Sequence, residues 1–143
     1  MEVVNLGSSQ DEREALANFA ARYTLPPTDV LQEVEQRVIG AVWGANGFTT
    51  VAQADLLAER LELTAGKLLM DIGTGRGWPG LYLAKRTGCT VVLTDLPIEG
   101  LRHAVRRGEV ESVSFLGGVV ASARDPSFRS ESFDAIVHAD VLC

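Results

Sequence analysis

Apolar residues recur at helical spacing along the first third of the chain. Ser9 and Glu12 have the spacing of a capping box and precede an apolar stripe that a pair of prolines ends. Valines at helical spacing then indicate a second helix. Thr50 and Gln53 form another capping box, which begins a third helix. We therefore expect the residues before Gly66 to form a helical segment.

The pattern changes at Gly66, after which short apolar runs alternate with helical patterns. The first run, Leu68–Met70, is apolar without alternation, which is typical of a parallel strand covered on both faces. The predicted strands are 67–71, 90–95, 118–122 and 133–139, and the predicted helices between them are about 78–87 and 98–108. This alternation implies right-handed crossovers and predicts an α/β fold, a three-layer, doubly wound, Rossmann-like parallel sheet.

Composition and charge limit the kinds of molecule that the chain is expected to bind. The 143 residues carry a formal net charge of −6, and an acidic chain gains no counterion-release energy on DNA or RNA, so we expect no nucleic-acid partner. Two cysteines, no signal-peptide pattern and no apolar run of roughly 18 residues predict a cytoplasmic chain without a membrane partner. The basic cluster of one helix is expected to be a solvated face: Arg102, His103, Arg106 and Arg107.

A glycine-rich turn follows the first strand. Between Asp71 and Gly77, glycines at alternate positions let the backbone approach a ligand, and the turn opens a helix whose N-terminus carries partial positive charge. The segment Gly75–Gly80 also matches the dinucleotide pattern G-x-G-x-x-G, and Asp95 lies 20 residues after Gly75, at the spacing of the acid that binds ribose. The glycine pattern alone therefore does not distinguish a dinucleotide from another ligand.

Two acidic residues at strand exits indicate what the ligand is, one through its charge and the other through its hydroxyl groups. Asp71, at the exit of the first strand, would repel a pyrophosphate by roughly several kcal/mol in a low-dielectric cleft, whereas it would attract the ammonium and sulfonium groups of S-adenosylmethionine. The alternative is that Asp71 caps a turn through backbone N–H groups. Asp95 ends the second strand, where it would accept hydrogen bonds from both ribose hydroxyls while Leu96 covers one adenine face; the alternative is a helix N-cap.

Three segments, in this order, resemble the class I S-adenosylmethionine-dependent methyltransferases: Leu69–Gly77, Asp95 and Ser132–His138. The resemblance covers roughly residues 40–143 and implies methyl transfer from S-adenosyl-L-methionine to an unknown acceptor, expected to be a small molecule. The family's sheet has strand order 3-2-1-4-5-7-6, of which this sequence shows the part 3-2-1-4. We therefore expect residues 66–143 to be an incomplete cofactor-binding core, truncated after the fourth strand.

The resemblance also assigns site residues. Gly73 and Gly75 would approach the methionine part of the cofactor, and Asp95 the ribose. The backbone of His138 would face the ammonium group. The full set of candidate cofactor-binding residues is Asp71, Gly73, Thr74, Gly75, Gly77, Asp95, Leu96, Ser122, Ala123 and His138.

The third strand carries a departure from the family's pattern. Relatives often have Gly-Asp-Ala after this strand, with the acid bonding the adenine amino group, whereas Ala121, Ser122 and Ala123 stand there in this chain. Ser122 would be a neutral and weaker acceptor than a carboxylate. If the third strand instead ended at Gly118, no side chain would take this role.

Other parts of the resemblance leave alternatives open. The segment Trp43–Thr50 lies where such enzymes often fold an N-terminal lid over the cofactor, so residues 1–65 are predicted to be a helical segment and cofactor lid. The alternative is an interhelix loop whose Trp43 and Phe48 pack in the core. Three residues at the end of the fourth strand are candidates for a base or a substrate ligand, and none is assigned as catalytic: His138, Asp140 and Cys143.

The outer edge of the fourth strand, beside Ile136 and Val137, would be unpaired in a truncated sheet. It predicts self-association, most simply as a two-fold homodimer. Two other function classes stay open. One is an NAD-dependent oxidoreductase, and the other is a non-catalytic cofactor-binding or assembly module.

Overall fold

The computed structural model of the chain describes residues 10–125 and 127–141, with side chains from Arg13 onward. The capping box of Ser9 and Glu12 and the candidate Cys143 therefore lie outside the described side chains. The elements in chain order are α1 (Gln10–Thr24), α2 (Asp29–Ile39), α3 (Val51–Arg60), β1 (Leu68–Ile72), α4 (Gly80–Thr87), β2 (Thr90–Asp95), α5 (Ile98–Val110), β3 (Phe115–Val120) and β4 (Ala135–His138).

The four strands form one parallel sheet in the order β3-β2-β1-β4, which confirms the predicted topology. Because the chain steps from β1 to β2 to β3 in one direction through right-handed crossovers, α4 and α5 cover the same face. The fully buried side chains of this face include Leu69, Leu81, Val91 and Leu93. Each such residue contributes about 1.5–3 kcal/mol by leaving water, so the sheet centre is the most stable part of the fold.

Two strands differ from their predicted bounds by more than one residue. β3 begins at Phe115 rather than at 118, because Phe115 packs beneath α5 and the glycines that interrupt the apolar pattern are paired strand residues. β4 spans only Ala135–His138, because Asp134 turns to pair with Leu68: its N–H donates to Leu68 O at 2.9 Å, and its carboxylate accepts from Leu68 N at 2.8 Å. Both shifts leave the carboxyl ends of the strands at the same edge of the sheet.

The helices of the N-terminal segment are attached to the core at a few points. The capping box of Thr50 and Gln53 is present at the start of α3, as predicted. In α2, by contrast, the valine stripe faces solvent, with Val30 69% and Val34 52% exposed. Periodicity therefore predicted this helix correctly, although its valine stripe lies outside the core, which α2 joins through Ile39 at its end.

The basic cluster of α5 is not a purely solvated face, which corrects that prediction. His103 Nε2 lies 2.9 Å from Tyr23 O, at the end of α1. Arg107 donates to Val42 O at 3.1 Å and places its guanidinium 5.1 Å from the centre of the Trp43 ring. These contacts join α5 to the end of α1 and to the loop after α2, and they hold the N-terminal segment against the core.

None of the helices within the described parts of the chain combines the length and apolarity that crossing a bilayer requires.

Candidate functional site

A cavity of about 630 Å³ lies at the carboxyl edge of the sheet. This is the position at which open parallel sheets bind ligands. Its wall is built from the turn after β1, the exits of β2, β3 and β4, the loop before α3 and one face of α1. The contributing segments are 15–23, 45–48, 72–76 with Trp78, 95–97, 121–124 and 139–141.

The glycine turn after β1 folds back onto β2. The N–H groups of Gly73 and Thr74 both donate to Thr94 O, at 2.8 and 3.0 Å. Gly73 has φ +70°, and a Cβ there would lie 2.4 Å from Val141 Cγ2, so no side chain fits at this position. Gly73, Thr74 and Gly75 all border the cavity.

Asp71 does not border the cavity, which corrects the prediction that it attracts a cationic ligand directly. It is 0% exposed and lies beneath the turn, where Oδ2 accepts from Thr74 Oγ1 at 2.6 Å and from Gly80 N at 2.9 Å. Pro79 offers no side-chain cap to α4, so the Asp71 carboxyl takes that role at a helix N-terminus. The capping alternative is the one that the geometry supports.

Burial also changes the protonation of Asp71. Desolvation raises the pKa of this carboxyl to about 7, although the bonds from Thr74 and Gly80 act in the opposite direction. No hydrogen-bond partner of Oδ1 lies among the residues that the structure describes. The electrostatic argument against a pyrophosphate is therefore weaker than the sequence suggested, because the charge is both buried and partly neutralised at neutral pH.

Asp95 borders the cavity and links two strand exits. Its Oδ2 accepts from Gly75 N at 2.7 Å, and its Oδ1 accepts from Leu96 N at 2.8 Å. Burial raises the pKa of Asp95, and these two backbone bonds lower it. Each carboxylate oxygen can accept a second hydrogen bond, so Asp95 retains acceptors for two further donors. Leu96 follows it on the cavity wall.

The remaining candidates divide into two groups. Ser122 and Ala123 border the cavity after β3, where Ser122 Oγ accepts from Arg124 N at 3.2 Å. Gly77 lies away from the cavity, and a Cβ there would meet Leu81 Cδ1 at 2.4 Å. The side chain of His138 is exposed at the end of β4 and does not line the cavity. Gly77 is therefore needed for close packing against Leu81. The His138 side chain does not reach the cavity.

The aromatic segment before α3 combines the two alternatives that the sequence left open. Trp43 is buried in the core and meets Tyr82 edge to face, with ring centroids 6.1 Å apart. Phe48 is 79% exposed and borders the cavity. Asp140 Oδ2 accepts from the N–H groups of Phe48 and Thr49 at 3.1 and 3.3 Å. Asp140 therefore holds this loop beside the exit of β4.

Sequence reasoning missed two residues that shape the cavity. Tyr23 of α1 is only 4% exposed, and burial, followed by the charge of Asp95, raises the pKa of its hydroxyl. Arg76, inside the glycine turn, donates to backbone carbonyls at the end of α1. Tyr23 continues the apolar stripe of α1 four positions after Phe19, which is the signal that could have identified it.

Within residues 10–125 and 127–141, no group of three or more histidine, cysteine, aspartate or glutamate side chains is placed to hold a metal ion.

Comparisons with known proteins agree with this architecture. Residues 69–143, just over half of the chain, match the model of a family described as "Methyltransferase domain". Methyltransferase GfsG of Streptomyces halstedii is 37% identical over 84 residues, which are 56% of this chain and 29% of that protein. The sterol 24-C-methyltransferase of Debaryomyces hansenii is 29% identical over 65% of this chain and 26% of its own length. The chain thus spans less than a third of these relatives.

Solved structures show the same fold. Phosphoethanolamine N-methyltransferase 2 of Haemonchus contortus, in complex with phosphomonomethylethanolamine and S-adenosylhomocysteine, superposes with a TM-score of 0.66 over 88% of this chain and 29% of its own, at 23% identity. A methyltransferase of Thiobacillus denitrificans in complex with S-adenosyl-L-homocysteine gives 0.53 over 80% of this chain and 44% of its own, at 19% identity. With the parallel sheet, the glycine turn and the family match in agreement, the chain belongs to the methyltransferase-domain family.

Proposed function

We propose that the cavity binds S-adenosyl-L-methionine and that the chain is the cofactor-binding part of a methyltransferase. The observation that carries the proposal is the position of Asp95, which borders the cavity and accepts from the backbone of the glycine turn at 2.7 Å. A ligand in the cavity would therefore meet the Asp95 carboxylate and the exposed backbone of the glycine turn together. The family match and the structures solved with S-adenosylhomocysteine support the same cofactor.

The residues that line the cavity suit the successive parts of this cofactor, from the methionine part through the ribose to the adenine. Gly73 and Gly75 would face the methionine part, because their backbone lies open where a side chain would clash. Asp95 would accept from the two ribose hydroxyls. Leu96 would cover one adenine face, and Ser122 would accept from the adenine amino group across the cavity.

Methyl transfer needs alignment more than acid–base chemistry, because the reactive methyl group is supplied by the cofactor. The side chain of His138 does not line the cavity, and Asp140 is engaged by the loop at Phe48 and Thr49. Neither residue is in place as a base. We propose that this part of the enzyme acts by holding the donor and excluding water, and we assign no catalytic residue.

The acceptor is proposed to be a small molecule that approaches beside Phe48. The cavity volume of about 630 Å³ lies in the usual range of small-molecule sites, roughly 300–1,000 Å³. A net charge of −6 disfavours a nucleic-acid acceptor. The relatives are named for acceptors as different as a sterol and phosphoethanolamine, so these names do not select one for this chain.

Isothermal titration calorimetry tests the cofactor directly. S-adenosylhomocysteine should bind saturably with a stoichiometry near one, and NAD should not bind. NAD binding of equal or greater strength would favour the oxidoreductase alternative. Saturable binding of S-adenosylhomocysteine without methylation of any acceptor in a cell extract would favour the non-catalytic module.

Self-association through β4 stays a proposal of its own. Within the described residues β4 pairs only with β1, and Ile136 on this strand is 52% exposed. Light scattering at several concentrations should show a dimer that Ile136→Lys dissociates without loss of cofactor binding. A monomer at high concentration would contradict it. The cytoplasmic location, and the division into a helical segment of residues 1–65 and a core of residues 66–143, likewise remain predictions.

A further inference from the structure

Arg76 reaches from the glycine turn to the end of α1. Its Nη2 donates to Leu25 O at 2.8 Å, to Arg22 O at 3.2 Å and to Tyr23 O at 3.3 Å. The last carbonyl groups of a helix have no partner within the helix and carry partial negative charge. All three contacts are made by Nη2, so its two N–H groups are shared among three carbonyl oxygens, and the planar guanidinium directs both of them toward this helix end.

The Arg76 side chain and two glycines also fix the position of the Tyr23 ring. The Arg76 guanidinium lies 5.6 Å from the centre of its ring. A Cβ at Gly75 would lie 2.7 Å from the Tyr23 hydroxyl oxygen, and a Cβ at Gly100 would lie 3.0 Å from the Tyr23 ring. The glycine turn, α5 and α1 therefore meet at Tyr23 with no room for additional side-chain atoms.

The residues that meet at Tyr23 form part of the wall of the proposed cofactor cavity. Tyr23 borders the cavity together with Leu16 and Phe19, which lie on the same side of α1. The charge of Asp95 acts on the Tyr23 hydroxyl, so the tyrosine lies next to the group proposed to bind ribose. α1 is not attached to the sheet by strand pairing. Among the helices and strands, it packs against α5. Its closure over the cavity therefore depends on a small number of side-chain contacts.

We propose that Arg76 is a positioning residue that latches α1 over the cofactor cavity and couples closure of this helix to occupation of the glycine turn. The backbone of Arg76 belongs to the turn that would contact the ligand, while its side chain holds the helix that covers the ligand. A ligand that orders the turn also orders the guanidinium, and by thermodynamic reciprocity a docked α1 strengthens ligand binding. The proposal rests on the proposed function, since it concerns the same cavity.

Dissociation kinetics of S-adenosylhomocysteine test the latch. Arg76→Ala should release the ligand at least about tenfold faster, with a much smaller change in the association rate, because a covering element chiefly slows escape. Arg76→Lys should be intermediate, since an ammonium group keeps the charge but not the planar donor set. A purely structural role would lower the fraction of binding-competent protein and leave the dissociation rate of that fraction unchanged.

Arg107→Ala is the matched control. Arg107 also holds the N-terminal segment through a carbonyl and an aromatic ring, but it does so at Val42 and Trp43, away from α1. Its removal should leave the dissociation rate within about twofold of the wild type. An equal acceleration in Arg107→Ala and Arg76→Ala would overturn the proposal.

Hydrogen exchange of the unaltered chain provides an independent measurement, which is informative even if Arg76→Ala does not fold. S-adenosylhomocysteine should slow exchange of the α1 amides as well as those of the glycine turn, and Arg76→Lys should weaken the effect in α1 alone. Binding with unchanged exchange in α1 would overturn the latch and leave the proposed function intact. Absence of binding to the wild type would overturn the proposed function itself, so the two failures are distinguishable.

Discussion

The exits of β1 and β2 carry the same residue type in different roles. In the register of the sheet, Asp71 stands opposite Leu93, so Asp95 lies two residues nearer to the carboxyl edge on the same face. Asp71 is fully buried and caps the turn and α4, whereas Asp95 borders the cavity. A separation of two strand residues, roughly 6–7 Å, thus divides a buried carboxyl group that caps a turn from one that borders the cavity.

The comparison shows that residue type and motif spacing do not determine the role of an acid at a strand exit. Asp71 and Asp95 both have pKa values that burial raises, but only Asp95 retains access to the cavity. A raised pKa therefore marks both acids but does not tell them apart. The register of the two strands does, because it places Asp95 two residues nearer to the carboxyl edge. Each of the following variants tests one side of this difference.

The largest expected effect is the pH dependence of stability that Asp71 causes. Its folded-state pKa of about 7 lies above the ordinary value of 3.8, so the native state holds more protons than the unfolded state between these values. Raising the pH through this window therefore destabilises the fold. At about 1.4 kcal/mol for each pKa unit, the loss is on the order of 4 kcal/mol.

Asp71→Asn should remove this slope. Urea unfolding at pH 4.5 and pH 8 would show that stability relative to the wild type improves as the pH rises. The charge of Asp95 contributes to the raised pKa of Asp71, so the difference between the two proteins includes this coupling. A parallel pH dependence in the two proteins would show that Asp71 is ionised throughout, as a ligand-facing carboxylate would be.

The next effect concerns affinity and belongs to Asp95. If Asp95 holds both ribose hydroxyls, Asp95→Ala removes charge-assisted bonds worth about 1.5–3 kcal/mol, which corresponds to about a 10- to 150-fold weaker binding of S-adenosylhomocysteine. The fold should be retained, because the side chain lies on a cavity wall. Titration calorimetry with a parallel unfolding curve separates the two outcomes, and an unchanged dissociation constant would reduce Asp95 to a cap of Gly75 and Leu96.

Local patterns predicted the centre of the fold well. The apolar run of β1, the glycine turn and Asp95 were identified from sequence because the backbone and its immediate neighbours determine them. The parallel order β3-β2-β1-β4 followed from the alternation of elements and the family resemblance, and the structure confirms it.

The errors arose where contacts join distant parts of the chain. Arg76 bonds residues more than 50 positions away, and Arg107 bonds Val42 across 65 positions, so neither partner appears in a local pattern. Tyr23 was missed for the same reason, although its stripe was recognised. Asp71 was assigned to the ligand because a sequence motif shows where a strand ends but does not show which side of the following turn a side chain occupies.

The variant Gly80→Ala tests how tightly the start of α4 packs against the buried Asp71 carboxyl group. A Cβ at Gly80 would lie 2.4 Å from Asp71 Oδ2, so the carboxyl group or the helix must move. Overpacking of this kind costs about 1–3 kcal/mol, which exceeds the gain in helix propensity. Gly118→Ala is a suitable control, because its added Cβ would meet only the ends of Val105 and Leu101 at 3.2 and 3.3 Å. Chemical unfolding should show a clear loss for Gly80→Ala and a smaller one for Gly118→Ala.

The smallest expected effect lies at the exit of β3, where Ser122 stands in place of an acid. A neutral hydroxyl contributes about 0.5–1.5 kcal/mol through one hydrogen bond, so Ser122→Ala should weaken S-adenosylhomocysteine binding by about two- to tenfold. Ser122→Asp should instead tighten it, because a carboxylate is the stronger acceptor for an amino group. The two variants change affinity in opposite directions only if this residue faces the adenine. If both weaken binding equally, Ser122 does not face the adenine, and the role that the structure supports is its acceptance of a hydrogen bond from Arg124 N at 3.2 Å.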